Sequence, residues 1–220
     1  ADKGIKTAAI YGAFIPNPMH VYRTAGVLAG LGLSYGGATT EEDVVGLIFA
    51  DQGIDLSKIS GDIKIVSYLQ GYGDTTTDEI NAAIQAAPEA FISVGMATTF
   101  FTQQLNAAGI EFSDIDSFTK SNGEAITNGK LVYLAGKYSS SVGPAFALVM
   151  NAINGNVIRD AQGNAVSLSQ NYQVATDSET FDKFYKNDNG DNPIYSRDTL
   201  DQIIGDTVTF DTINEVVASN

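Results

Sequence analysis

The chain has 220 residues, 44% hydrophobic and 17% charged, a formal net charge of −14 and no cysteine. That balance marks a globular chain with core enough for one large or two small domains. Twelve Lys and Arg against 26 acids speak against nucleic acid as a partner, and the lack of cysteine excludes a disulfide framework, a thiolate nucleophile and a thiolate zinc site.

In chain order, KTAAIYG (6–12) reads as a strand, AFIPNPMH as a loop holding the only histidine, and VYRTAGVLAGL (21–31) as a helix. TEEDVVGLIFAD predicts a helix over 40–51, capped by Thr39 or Thr40 with three acids in its first turn. DIKIVSYLQ (62–70) alternates like a strand, and a helix follows, capped near Thr75–Thr77. EAFISVG (89–95) is the next strand and TTFFTQQLNAAG (98–109) a helix closed by Gly109; SDIDSF (113–118) and KLVYLAG (130–136) complete the strands. This alternation predicts a mostly parallel sheet covered on both faces, a three-layer α/β/α sandwich. Beyond it, residues 156–176 read as a hairpin around Asp160–Asn164, and SETFDKFY, SRDTLDQIIG and TFDTINEVVAS as three short helices.

Charge is unevenly spread. Residues 1–130 hold 15 acids and 7 bases, residues 131–175 hold 1 and 2, and residues 176–220 hold 10 and 3. The middle segment therefore reads as a surface meant to be covered.

Little in the sequence supports catalysis. Gly-x-Ser-x-Gly is absent, and any Ser-His-Asp arrangement must use His20, for which the residue order selects no partner; the other reading is a polar loop residue near ligand or solvent. Neither a Walker loop nor a dinucleotide glycine triplet occurs, so no cofactor is expected. Residues 187–192 hold calcium-type ligands, but the glycine is misplaced and no glutamate follows at the right distance, which favours a solvated turn and no metal.

Ligands of open parallel sheets bind beyond the carboxyl ends of the strands. The candidate ligand-binding residues are therefore Asn17, His20 and Arg23 after the first strand and Gln70, Tyr72 and Asp74 after the second. Met96 and Thr98 follow the third strand, Thr119 the fourth, and Lys137 with Tyr138 the fifth. Amide, guanidinium, ammonium and aromatic groups suit a polar small molecule; the alternative is that Arg23 and Lys137 are ordinary surface charges.

Arg23-Thr24-Ala25-Gly26, Phe91-Ile92-Ser93 and the long segment from Ile115 to Gly155 resemble the type I periplasmic-binding-protein superfamily, in its sugar-binding, transporter-associated branch. The resemblance covers roughly residues 5–175 and rests on order and spacing. It implies a non-enzymatic receptor for a small polar solute in an ABC-type uptake system, with a membrane permease as partner. The expected location is extracellular or periplasmic, anchored through a lipoprotein signal lying before Ala1. It further implies that residues 1–130 are the second, ligand-binding lobe, 131–176 the return crossing, and 177–220 an acidic helical extension. The first lobe would be missing, and the helix from Ser141, with Gly143, Ala145, Ala147 and Ala152, would pack on it. If instead the chain is a single-lobe protein, residues 131–175 must pack on a rearranged terminal layer or a second copy, giving a homodimer. The same fold also serves as the effector-binding region of LacI-type transcription regulators, the alternative function; the C-terminal extension favours the receptor. Against the family pattern, Val94-Gly95 stands where Asn-Asp is usual, Phe118-Thr119 where an acid follows Gly-Phe, and Lys137 where a hinge glutamine is usual. Those departures argue against a simple pentose or hexose and for an anionic ligand.

Overall fold

The computed structural model describes residues 4–13, 17–71, 76–137, 139–189 and 193–219. Its contacts divide the chain into two units: Ala1–Asp116, Lys120–Ala135 and Thr176–Ser178 form one, and Ser117–Thr119, Gly136–Ala175 and Glu179–Asn220 the other. The fold is α/β. Strand β1 (Thr7–Tyr11) leads to helix α1 (Pro18–Gly30), β2 (Ser34–Tyr35), α2 (Glu41–Asp51), a 3-10 turn at Leu56–Lys58, β3 (Ile59–Ser60) and β4 (Lys64–Leu69). Then come α3 (Thr77–Gln85), β5 (Ala90–Ser93), α4 (Ala97–Ala108), β6 (Glu111–Ser117), α5 (Lys120–Thr127) and β7 (Leu131–Lys137). After a 3-10 turn at Ser139–Val142, α6 (Gly143–Ile153), β8 (Gln173–Ala175), α7 (Ser178–Asn189), α8 (Arg197–Gln202) and α9 (Phe210–Ala218) end the chain.

Among the described residues the main sheet has six strands in the order β4-β1-β5-β6-β7-β8. β1 pairs parallel with β4 and with β5, and β5 pairs parallel with β6. The chain thus leaves β1 for one side, then passes back over β1 to β5 and continues outward on the other side. Right-handed crossovers running in opposite directions put their helices on opposite faces, which makes the three layers.

Local chemistry sets the helix ends. Asn17 caps α1 by accepting from the Met19 N–H (3.0 Å), with Pro18 in the first turn. Thr40, the second of the two threonines named above, caps α2 by accepting from Asp43 N–H. Gly109 ends α4 in the left-handed conformation at φ 72°. In the first unit Ala8, Ile10, Val21, Ala25, Leu28, Val44, Ile48 and Ile65 form a buried cluster, while Tyr11 meets Phe101 edge-on at 4.8 Å. The antiparallel pair β2–β3, too short to show a period in the sequence, joins this unit; Tyr35 donates to Asp51 (2.7 Å), which Lys58 also binds.

In the second unit α6 packs on the chain's own terminal segment: Ala147, Tyr195, Ile203, Ile213 and Val217 share one buried cluster. Gly143 and Ala147, one turn apart, lie on that face, and a Cβ added at Gly143 would come within 2.6 Å of Tyr195 Cβ. Ala145 and Ala152, expected to pack with them, are exposed, because 3.6-residue periodicity turns them to another face. That other side also shows Val142, Phe146, Val149 and Ile153, each at least 50% exposed. Asn151, fully buried, donates to Ile203 O (2.9 Å) and accepts from Gly205 N–H (2.8 Å).

The hairpin expected over 156–176 is reduced to its turn. Asp160 accepts from the N–H groups of Gln162 and Asn164, and a single antiparallel bridge joins Arg159 and Ala165. The flanks bury only part of one face, and Asn156 donates to Gly205 O and Val208 O, so strand pairing ends there. α7 runs on through Asn189, so helix replaces the start of the solvated turn expected over 187–192; residues 190–192 lie outside the described residues. Among the described residues no helix is long and apolar enough to cross a membrane.

Candidate functional site

The strand order places a topological switch at the neighbouring strands β1 and β5. The chain leaving β1 goes on to β4 and the chain leaving β5 to β6, so the two part at their carboxyl ends, the position at which open parallel sheets form a ligand crevice. The crevice floor is backbone. Gly12 N–H donates to Leu69 O (2.8 Å), Gly71 N–H to Ala13 O (2.6 Å), and Val94 N–H to Tyr11 O (2.9 Å). Tyr11 Oη adds a bond to Gly71 O (2.8 Å). These bonds lock the exits of β4, β1 and β5 together.

Two residues there are constrained by what surrounds them or by their backbone conformation. A Cβ on Gly12 would lie 1.7 Å from Tyr68 Oη, so only glycine lets the Tyr68 ring close over the end of β1. Burial pushes the Tyr68 hydroxyl up to about 12, keeping it protonated, 3.4 Å from Thr24 Oγ1. Ala13 sits at φ 54°, a left-handed conformation that non-glycine residues seldom adopt. A Cβ on Gly95 would stand 3.0 Å from Ala13 Cβ and 4.0 Å from His20 Nε2, so the exits of β1 and β5 touch there.

Behind β5, Asp114 on β6 organises the start of α4. Its carboxylate accepts from the N–H groups of Ala97 (2.8 Å) and Thr98 (2.9 Å), and Asn122 Nδ2 reaches both Asp114 (3.3 Å) and Thr98 Oγ1 (2.9 Å). Burial raises the Asp114 pKa, opposed by these bonds.

The residues named from the sequence fall into distinct places. Asn17 caps α1, and Arg23 Nη1 donates to Val94 O (2.9 Å), tying α1 to the exit of β5. His20 is not a loop residue but a helical one, 4% exposed, because α1 begins at Pro18 and turns it inward. Thr98 is buried in the Asp114 network. Gln70 and Met96 are exposed at the crevice rim, on the β4 and β5 exits. Thr119 and Lys137, both exposed, belong to the second unit, where Lys137 Nζ stands 5.2 Å from the centre of the Tyr172 ring. Tyr72, Asp74 and Tyr138 lie outside the described residues. Gly12, Ala13, Tyr11 and Gly71 were not singled out; the glycine closing the apolar run KTAAIYG was the available signal.

Among the described residues no group of three His, Asp or Glu could hold a metal ion. No protein-family model matches the chain, and no curated protein matches it.

Proposed function

We propose that the chain is a solute-binding lobe of the type I periplasmic-binding-protein kind, serving a small polar ligand without transforming it and passing it to a membrane permease. The observation that carries this reading is the switch between β1 and β5, whose crevice has a backbone floor fixed by Gly12, Ala13, Gly71 and Gly95. Such a floor is rigid because its N–H groups are paired within it, and the exposed Gln70 and Met96 beside it supply an amide and a soft apolar contact. Arg23 Nη1 donates to Val94 O, which holds the guanidinium beside the exit of β5. Location outside the cell, with a lipid anchor, belongs to the same proposal.

Isothermal titration of the chain against a panel of neutral sugars and sugar acids tests this. The expected result is saturable binding of at least one, weakened by about tenfold or more in Gln70→Ala or Met96→Ala, with the ligand recovered unchanged. No binding across the panel, or conversion of the ligand, sinks the reading.

A further inference from the structure

The second unit holds a cavity of about 310 Å³ that the strand-end crevice does not explain. Its walls come from the end of β7 (Lys137), the 3-10 turn (Ser141), the segment Gln170–Gln173, the Ile194–Tyr195 step and the end of α9 (Val217–Ser219). That volume is at the small end of ligand sites. The frame is held by a fixed amide: Gln170 Nε2 donates to Ser141 O (2.8 Å), while Gln170 Oε1 accepts from Tyr195 Oη (3.3 Å). Both ends of this side chain are committed, so its orientation is set before any ligand arrives. Lys137 holds its ammonium over the Tyr172 ring, a cation–π contact that keeps the charge at the cavity wall. The lining contains this one ammonium, the neutral amides of Asn171 and Gln173, two tyrosines and a short apolar floor from Ile194, Val217 and Ala218; no carboxylate is among the lining residues described.

We propose that this cavity binds a small monocarboxylate with a hydroxylated body, its carboxylate on Lys137 Nζ and its hydroxyls on the amides of Asn171 and Gln173. One ammonium balances one negative charge. A phosphate dianion would leave an excess charge inside a chain that already carries −14, so a carboxylate fits and a phosphate does not. Ile194 and Val217 give the ligand's carbon skeleton an apolar wall, and Tyr172 holds Lys137 in place for the carboxylate. This inference goes beyond the strand-end reading and depends on residues of the second unit alone.

The test is calorimetric titration of the full chain with sodium gluconate, sodium glucuronate, D-glucose and inorganic phosphate, repeated on Lys137→Met and Tyr172→Leu. Lys137 is exposed, so its variant is expected to melt with the native chain. The expected result is saturable binding of gluconate or glucuronate, weakened by about tenfold or more in Lys137→Met and measurably in Tyr172→Leu, with glucose and phosphate at least about tenfold weaker than the carboxylate. Absence of binding by both carboxylates, or equal binding by Lys137→Met, overturns it. If glucose binds and the loss follows Gln70→Ala or Met96→Ala instead of Lys137→Met, the cavity proposal fails while the strand-end reading stands.

Discussion

Gly12 and Tyr68 compete for one place: the first carbon of any side chain at position 12 would overlap the Tyr68 hydroxyl, at 1.7 Å. The ends of β1 and β4 are therefore matched to each other, and the floor at the strand ends depends on that match. Gly12→Ala is expected to destabilise the chain by about 1–3 kcal/mol through overpacking. In a Tyr68→Ala background the same change is expected to be nearly neutral, and urea denaturation of the four proteins of the cycle measures the coupling. Equal losses in both backgrounds would show that the clash is not what constrains position 12.

Arg23 links a helix to a strand exit through one charged donor, Nη1 to Val94 O at 2.9 Å. Arg23→Met keeps much of the stem and removes the donor, which is expected to lower stability by about 1.5–3 kcal/mol. The Val94–Met96 segment should move in this variant, followed by amide chemical shifts. An unchanged Val94 environment would count against the tie.

Asp114 supplies the acceptors for the Ala97 and Thr98 N–H groups. Asp114→Ala strips both of their partner and is expected to cost about 2–5 kcal/mol. The pH dependence has a definite sign. Burial raises the folded pKa above the unfolded value of about 3.9, so the folded state holds the proton more tightly. Its contribution to stability is greatest below the unfolded pKa and falls as pH rises toward the folded one. The stability of the native chain minus that of Asp114→Asn should decline with rising pH from about 4 upward; a difference that grows instead would reverse the assignment.

Glu89 behaves in the opposite sense. Its carboxylate accepts from the N–H groups of Lys6 and Thr7 at the start of β1, and these bonds hold its pKa below the usual range. That contribution is present above the unfolded value of about 4.3 and is lost as pH falls through the folded pKa. Glu89→Gln should remove part of the acid sensitivity of unfolding, visible as a flatter stability profile below that point.

Asn151 binds the α8–α9 segment at both ends of its amide. Asn151→Ala leaves the Ile203 carbonyl and the Gly205 N–H without it, an expected loss of about 2–5 kcal/mol. Limited proteolysis should then cut residues 203–209 first. Cleavage elsewhere at the native rate would show that the C-terminal helices are held by apolar contact alone.

How the chain would fold was legible where the signal is local. The apolar run KTAAIYG and the alternation in DIKIVSYLQ marked β1 and β4, Thr40 marked the start of α2 and Gly109 the end of α4, because hydrophobic pattern and capping act over a few residues. The candidate site was legible only as positions after strands. Arg23 and Thr98 were named for that position, yet their partners, Val94 O and Asp114 with Asn122, lie tens of residues away and leave no mark in a local pattern.

The sequence alone determined the alternating strands and helices, the acidic balance, and a low-charge segment at 131–175 that needs a cover, since these follow from side-chain period and charge. Tertiary structure decided what covers one face of α6 and which residues meet at the strand ends. α6 meets its own C-terminal helices because Gly143 permits the approach of Tyr195 and Asn151 answers two distant backbone groups. Likewise, β4 and β5 flank β1 only after two crossovers in opposite directions, and only then do Gly12, Ala13 and Gly95 face one crevice. Contacts of that range are chosen by the packing of whole layers, which no short stretch of residues specifies.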